Sequence, residues 1–249
     1  MTADGEAAGH ERPTALVTGA GRGLGAALAR FLAGAGYDLV LNARTVEHLH
    51  AVARSVRACS VGAVEVAGDI SDPATRAALV HAVTAAGRLD LLINNASELG
   101  RRGLGALATY PAEDLDFVLR VNLLAPLALA QDLLPWLRAR RGLIVNISSD
   151  AAVMGYPGWG AYAASKAALD SVSRTLASEL RGEGVAVVSV DPGDMRTSMH
   201  QAAFPGEDIS DRPSPEVTLP FWAWLLGRPA DELSGHRFRA QSRSWEVPA

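Results

Sequence analysis

The chain has little of what marks several common classes of protein. Its 249 residues hold one cysteine, Cys59, so no internal disulfide can form. That suits a reducing compartment and points to a cytoplasmic setting. An excess of basic charge is also missing: 23 Lys and Arg stand against 27 Asp and Glu, for a net charge of -4. Nucleic-acid binding would call for basic clustering, so it is not expected. Long apolar runs are missing too. The most apolar segment, residues 121–137, is broken by Asn122, Gln131 and Asp132, and a membrane span needs roughly 18 apolar residues. The opening residues, MTADGEAAGHER, have no apolar core. They read as a disordered tail over residues 1–12 rather than as a secretory signal. The six histidines (His10, His48, His50, His81, His200, His236) have no Cys or carboxylate at metal-ligand spacing. No metal site is expected, and all six read as structural or surface residues.

What is present is an ordinary globular composition, 49% hydrophobic, in which short apolar runs alternate with helical periods. The runs are 14–17 (TALV), 37–42 (YDLVLN), 61–66, 89–93 (LDLLI), 142–147 (GLIVNI), 185–190 (VAVVSV) and 234–240. Helices are expected between them: after the first glycine turn, over 46–58, from Asp72-Pro73 onward, on both sides of Asn122, over 160–180 and over 215–226. Strands alternating with helices predict a Rossmann-like, doubly wound, mostly parallel α/β sheet of seven strands with helices on both faces. We find no repeats and no linker, so 13–249 reads as one domain. The pattern lapses between 194 and 215, which reads as a loop or lid over the substrate.

Three places carry chemistry. TGAGRGLG, residues 18–25, joins the first strand to an amphipathic helix. Glycines there let the backbone approach a phosphate, and the helix N-terminus favours its charge. The second strand ends in Asn42-Ala43-Arg44. An acidic residue at that corner would hold the free ribose hydroxyls of NAD. Here the carboxylate is absent, while Arg44 and Arg22 offer guanidinium groups to the extra phosphate of NADP. Both arginines also fit a plain solvated surface. Finally, Tyr162 and Lys166 lie four apart near the start of a helix and share a face. A nearby ammonium favours phenolate and brings a phenol toward proton transfer near neutral pH.

Taken in order, these residues resemble the short-chain dehydrogenase/reductase family in its single-domain form, from about residue 13 to about 240. Thr18, Gly19, Gly23 and Gly25 look like its TGxxxGxG turn. Asn94-Asn95-Ala96 resembles its NNAG element, with Ser97 in place of the glycine. Tyr162 and Lys166 match YxxxK, Ser149 stands thirteen residues upstream, and Pro192-Gly193 with Thr197 resembles PGxxxT.

The resemblance implies an enzyme that moves hydride between NADP(H), preferred over NAD(H), and a carbonyl/alcohol substrate. In it Asn122, Ser149, Tyr162 and Lys166 form the catalytic set. Tyr162 is the general acid/base, and Lys166 lowers its pKa and bonds the nicotinamide ribose. Ser149 stabilises the substrate oxygen, and Asn122 holds a water that relays protons. Cofactor contacts are implied for Gly19, Arg22, Gly23, Leu24, Gly25, Arg44, Asp69, Ile70, Asn95, Ala96, Tyr162, Lys166, Pro192, Gly193 and Thr197. Asp69 corresponds to the residue set against adenine, and Ser97 is a small departure expected to be tolerated. A homodimer or homotetramer is implied, built on the helices around 121 and 160, where Ala163, Ala164, Ala167 and Ala168 leave a smooth side. The alternative is a non-catalytic dinucleotide-binding regulator or scaffold, since fold does not fix function. Met154, Trp159, Met195, Phe204 and Trp222 could line an apolar pocket or belong to the core. Arg101-Arg102 reads as a solvated loop, and the acidic loop 206–212 maps to no substrate.

Overall fold

A computed structural model describes residues 12–247; the tail expected over 1–12, with His10, lies almost wholly outside them. The strands are β1 (Thr14–Val17), β2 (Asp38–Ala43), β3 (Ala63–Ala67), β4 (Leu91–Asn94), β5 (Leu143–Ile147), β6 (Ala186–Asp191) and β7 (Arg237–Arg239). They form one seven-stranded sheet in the order β3-β2-β1-β4-β5-β6-β7. Every neighbouring pair is parallel, the last included. A long, partly helical connection separates β6 from β7, which is what a parallel return requires. The strands β1, β4, β5 and β6 are buried along their whole lengths. Parallel strands covered on both faces read as unbroken apolar runs rather than alternating ones, and these do.

The helices are α1 (Gly23–Gly34), α2 (Val46–Arg57), α3 (Pro73–Ala86), α4 (Ala112–Leu119), α5 (Ala125–Arg140), α6 (Gly160–Leu180), α7 (Ser198–Ala203) and α8 (Leu219–Leu226). Leu28, Leu49, Phe221 and Trp222 pack α1, α2 and α8 on one face of the sheet. Leu79, Leu133 and Leu180 pack α3, α5 and α6 on the other. The helix starts follow local chemistry: Asp72 accepts the Ala74 N–H at 2.9 Å, and Pro73 takes a first-turn position that needs no donor.

Three expectations change. The helical stretches around Asn122 are one run, Ala112–Arg140, with a wide π turn at Arg120–Leu124. Pro126 has no N–H to return to the carbonyl four residues back, that of Asn122, so the narrow ladder is interrupted there. By length and composition this run could cross a membrane, but Val121, Leu129, Leu133 and Leu137 sit in the core. Residues 194–215 are not all loop: they contain α7, capped by Thr197 Oγ1, which accepts the His200 N–H at 3.1 Å. Trp222 is fully buried beside Phe221 and belongs to the core.

Strand order reverses direction between β1 and β4. At such a switch point the loops leaving the two strands diverge and open a crevice at their carboxyl ends. That crevice holds nearly every residue singled out above.

Candidate active site

The cleft encloses about 1490 Å³ of empty space open to solvent. Its lining runs without a break from the glycine turn to Tyr162 and Lys166, the span an extended ligand would need. One end is the glycine turn. Gly19 and Gly23 have φ of +65° and +54°, which side chains rarely adopt. No side-chain cap serves the first N–H groups of α1, so they remain available to an anion. Thr18 Oγ1 accepts the N–H groups of Asn95 and Ala96, and Asn95 Nδ2 donates to the Thr18 and Gly19 carbonyls. The asparagine pair therefore holds the turn in shape, and Asn95 does so with its side chain. Gly25 does not line the cleft. A Cβ there would lie 2.3 Å from the Gly19 carbonyl oxygen, so its role is close packing of helix on turn.

The next corner lies at the ends of β2 and β3. Asn42, read from the sequence as the missing carboxylate, is buried and donates to the Val66 and Gly68 carbonyls. It stitches β2 to β3. Arg44 ion-pairs with Glu98 and approaches Asp69 at 4.0 Å, so its guanidinium bridges the crevice. Arg22, Leu24, Asp69, Ile70, Asn95, Ala96, Pro192, Gly193 and Thr197 all line the cleft. Asp69 also accepts the Ser71 N–H and hydroxyl, which fixes its loop. Donor set, free helix terminus and the extent of the lining fit a dinucleotide.

At the far end Tyr162 is 8% exposed, and its ring stands edge-on to Trp159 at 5.7 Å between centroids. Lys166 is 2% exposed and donates to the Ile147 carbonyl at 2.7 Å, with its ammonium 5.6 Å from the Tyr162 ring centre. Burial dominates both pKa values. It pushes the phenol up to about 12, against hydrogen bonding from Ser149 and Ser97 that pulls it down. It pushes the ammonium down to about 8, against the Asp170 carboxylate. Spacing alone suggests a lowered phenol pKa; in the structure as it stands desolvation sets the direction for Tyr162, and it is upward. Ser149 is the serine beside the phenol. Its hydroxyl donates to Asp150 Oδ1 at 3.0 Å and accepts the Ala151 N–H.

Asn122 is fully buried and lines no part of the cleft. Its Nδ2 donates to the Glu98 carbonyl and Ser165 Oγ, and its Oδ1 accepts the Glu98 N–H and the Ser97 hydroxyl. A carboxamide has two donors and two acceptor sites. The side chain is thus full, with no hydrogen-bonding position left for a further partner.

Several neighbours were missed. Glu98, Asp150 and His200 line the cleft, and His200, read as structural, stacks on Phe204 at 4.9 Å. Of the apolar residues named from sequence, Trp159 and Met195 line the cleft, while Met154 is exposed and Phe204 sits behind Trp159. Arg237 donates to the Ser149 carbonyl at 2.7 Å and to Asp170 and Asp191. Nothing in its local sequence marks that role. Arg101 stacks over Phe117 at 4.6 Å and Arg102 pairs with buried Asp114 at 3.2 Å, so both brace the loop. Among the described residues no group of three or more His, Cys, Asp or Glu could hold a metal ion.

Comparison with known proteins agrees with this geometry. A family model for short chain dehydrogenases matches residues 13–208. Versicolorin reductase 1 of Aspergillus parasiticus is 33% identical over 229 residues, covering 87% of this chain and 85% of its own. A short chain dehydrogenase from Salmonella enterica superposes with a TM-score of 0.86 at 31% identity, covering 93% of this chain and 96% of its own. L-Sorbose reductase from Gluconobacter frateurii, solved with NADPH and L-sorbose, gives 0.81 at 30% identity, covering 92% and 94%. The chain belongs to the short-chain dehydrogenase/reductase family. It is an NAD(P)-dependent oxidoreductase acting on a CH–OH/C=O pair in small molecules.

The buried ammonium yields a stability prediction. Because burial lowers the Lys166 pKa to about 8, the folded state binds fewer protons than the unfolded between about pH 8 and 10.5, and this group's contribution to stability rises over that window. Lys166→Met removes the penalty. We expect it to stabilise the fold by on the order of 2 kcal/mol at pH 7 and to flatten the rise. Denaturant titrations of both proteins at pH 7 and pH 10 measure this; a less stable variant at pH 7 contradicts it.

Proposed function

We propose that the chain is an NADP(H)-preferring carbonyl/alcohol oxidoreductase with Tyr162 as general acid/base. The observation that carries this is convergence: Tyr162, Ser149 and Lys166 meet at one end of a cleft whose other end is the glycine turn. When bound, the nicotinamide supplies or accepts hydride. The chain's own residues handle the oxygen. Near neutral pH the buried phenol keeps its proton, ready to pass it to a carbonyl oxygen. Ser149 offers a hydroxyl to the charge that builds there. Lys166, held by the Ile147 carbonyl, keeps a positive charge in the same pocket. Leu99, Trp159, Met199 and Ala203 give the substrate end an apolar wall.

The reading is tested by NADPH consumption against a panel of carbonyl compounds. Wild type should turn over at least one, and Tyr162→Phe should lose about 10²- to 10⁴-fold in kcat/KM on it. An equally active variant, or an inert wild type, overturns the assignment.

The NADP preference rests on Arg44 and Arg22 at the ribose corner and on the absence of a carboxylate at position 42. A 2′-phosphate would take Arg44 from its carboxylate partners Glu98 and Asp69 and gain a charge-assisted contact. Arg44→Asp should weaken NADPH by on the order of 10- to 100-fold and leave NADH little changed. Fluorescence titration reads both; equal wild-type affinities for the two cofactors sink the argument.

We also propose a homo-oligomer built on α5 and α6. Ala164 and Ala167 are exposed on α6, and Leu124, just before α5, is 52% exposed. Light scattering should return a dimer or tetramer mass; a monomer mass counts against it.

A further inference from the structure

The turn that follows β6 is held from two sides. Within it, Asp191 Oδ1 accepts the Gly193 N–H at 3.0 Å, and Arg237 donates to the same carboxylate. Behind it stands Gln241, two residues past β7. Its Nε2 donates to the Pro192 carbonyl at 2.9 Å and to the Asp194 carbonyl at 2.8 Å. A side-chain amide nitrogen has two hydrogens, so one nitrogen serves both carbonyls. Both partners only accept, which fixes the nitrogen rather than the oxygen toward the turn. The fit is close. Gly193 has a φ of +74°, and a Cβ there would lie 2.7 Å from Gln241 Nε2. Glycine at 193 is thus required twice, by its backbone and by the carboxamide packed on it. Gln241 is itself tied to β6: the N–H of the preceding residue, Ala240, donates to the Asp191 carbonyl at 2.8 Å.

We propose that Gln241 is a positioning residue for the nicotinamide end of the cleft, clamping the Pro192–Asp194 turn from behind. The inference rests on the reading that this turn meets the nicotinamide. Pro192, Gly193 and Asp194 line the cleft, whereas Gln241 does not. It stands with Asp191, Gly193 and Arg239 around a small hollow on the other side of the turn. The carboxamide therefore acts on a bound ligand only through the backbone it holds. By drawing the carbonyls on either side of Gly193 to one atom, it fixes the orientation of the peptides between them. Those peptides form the cleft wall at the end where Tyr162 and Ser149 lie. The clamp also sets where the chain leaves for α7, since Asp194 opens that segment and Thr197 caps the helix three residues on.

The test is calorimetric titration of the full chain with two ligands: NADP⁺, and 2′-phospho-ADP-ribose, which is the same molecule without its nicotinamide. Gln241 is exposed, so its variants keep the core intact. Gln241→Ala removes both hydrogen bonds. Gln241→Glu keeps the shape, but its carboxylate has no hydrogen to donate. Each should weaken NADP⁺ about tenfold and leave 2′-phospho-ADP-ribose within about twofold of wild type. Gln241→Lys returns a donor to the same place and should restore most of the NADP⁺ affinity. A general structural defect would weaken both ligands alike, so equal losses overturn the clamp. Unchanged NADP⁺ affinity in Gln241→Ala and Gln241→Glu overturns it as well. A wild type that binds the two ligands equally tightly, or binds neither, overturns the clamp together with the reading it rests on.

Discussion

The site depends on keeping an ammonium charge out of water. Lys166 is almost fully buried, and an uncompensated charge there would be costly. The Ile147 carbonyl takes one of its protons and Asp170 lies one turn along the same helix. Asp170 is held by Arg237, which reaches on to Asp191 and to the carbonyl of Ser149. The charges alternate in sign through the interior: Lys166, Asp170, Arg237, Asp191. One guanidinium on a three-residue strand thereby fixes the ends of β5 and β6 against α6, the three elements that bear Ser149, the Pro192-Gly193 turn and the Tyr162–Lys166 pair. Asp191 shows what that fixing must overcome: burial raises its pKa, and the Gly193 N–H and Arg237 pull it back.

A second junction lies on the other side of the phenol. The π turn at Arg120–Leu124 carries Asn122 into the interior, and the carboxamide fills all four of its hydrogen-bonding positions. Those bonds join the loop after β4 to α6. The same loop holds Glu98, whose carboxylate meets Arg44 from the end of β2. Asn122 thus braces both ends of the cleft: the proton site through Ser97 and Ser165, and the ribose corner through Glu98. Its influence on the chemistry runs through the backbone it holds in place.

How far this was legible in the sequence follows from which physics is local. The inner strands were readable because burial on both faces leaves unbroken apolar runs; β1 falls where TALV places it. The glycine turn was readable because its spacing is set by contact between neighbouring residues. The YxxxK pair shares a helix face, so spacing alone brings it together. Roles that depend on distant partners were not legible. Arg237 looks like any strand arginine until the sheet brings it beneath Ser149. Asn122 is a correct position with a side chain already engaged. Ser97 looked like a tolerated exchange because its partner Asn122 is 25 residues away. Trp222 and Met154 were indistinguishable by composition from Trp159 and Met195, and only packing separates core, surface and pocket.

The largest correction concerns sign. A phenol and an ammonium four residues apart suggest a lowered tyrosine pKa, and that argument counts only their mutual attraction. Burial acts on both groups at once and opposes both charges: the phenol goes up to about 12 and the ammonium down to about 8. The ammonium donates to the Ile147 carbonyl and stands 5.6 Å from the centre of the Tyr162 ring. Near neutral pH the result is a protonated phenol beside an ammonium that still carries its charge. In such a pocket the hydroxyls of Ser149 and Ser97 matter more than they would in water. Both donate elsewhere in this structure, to Asp150 and to Asn122, and the low-dielectric surroundings that disfavour a bare phenolate strengthen any bond made to it.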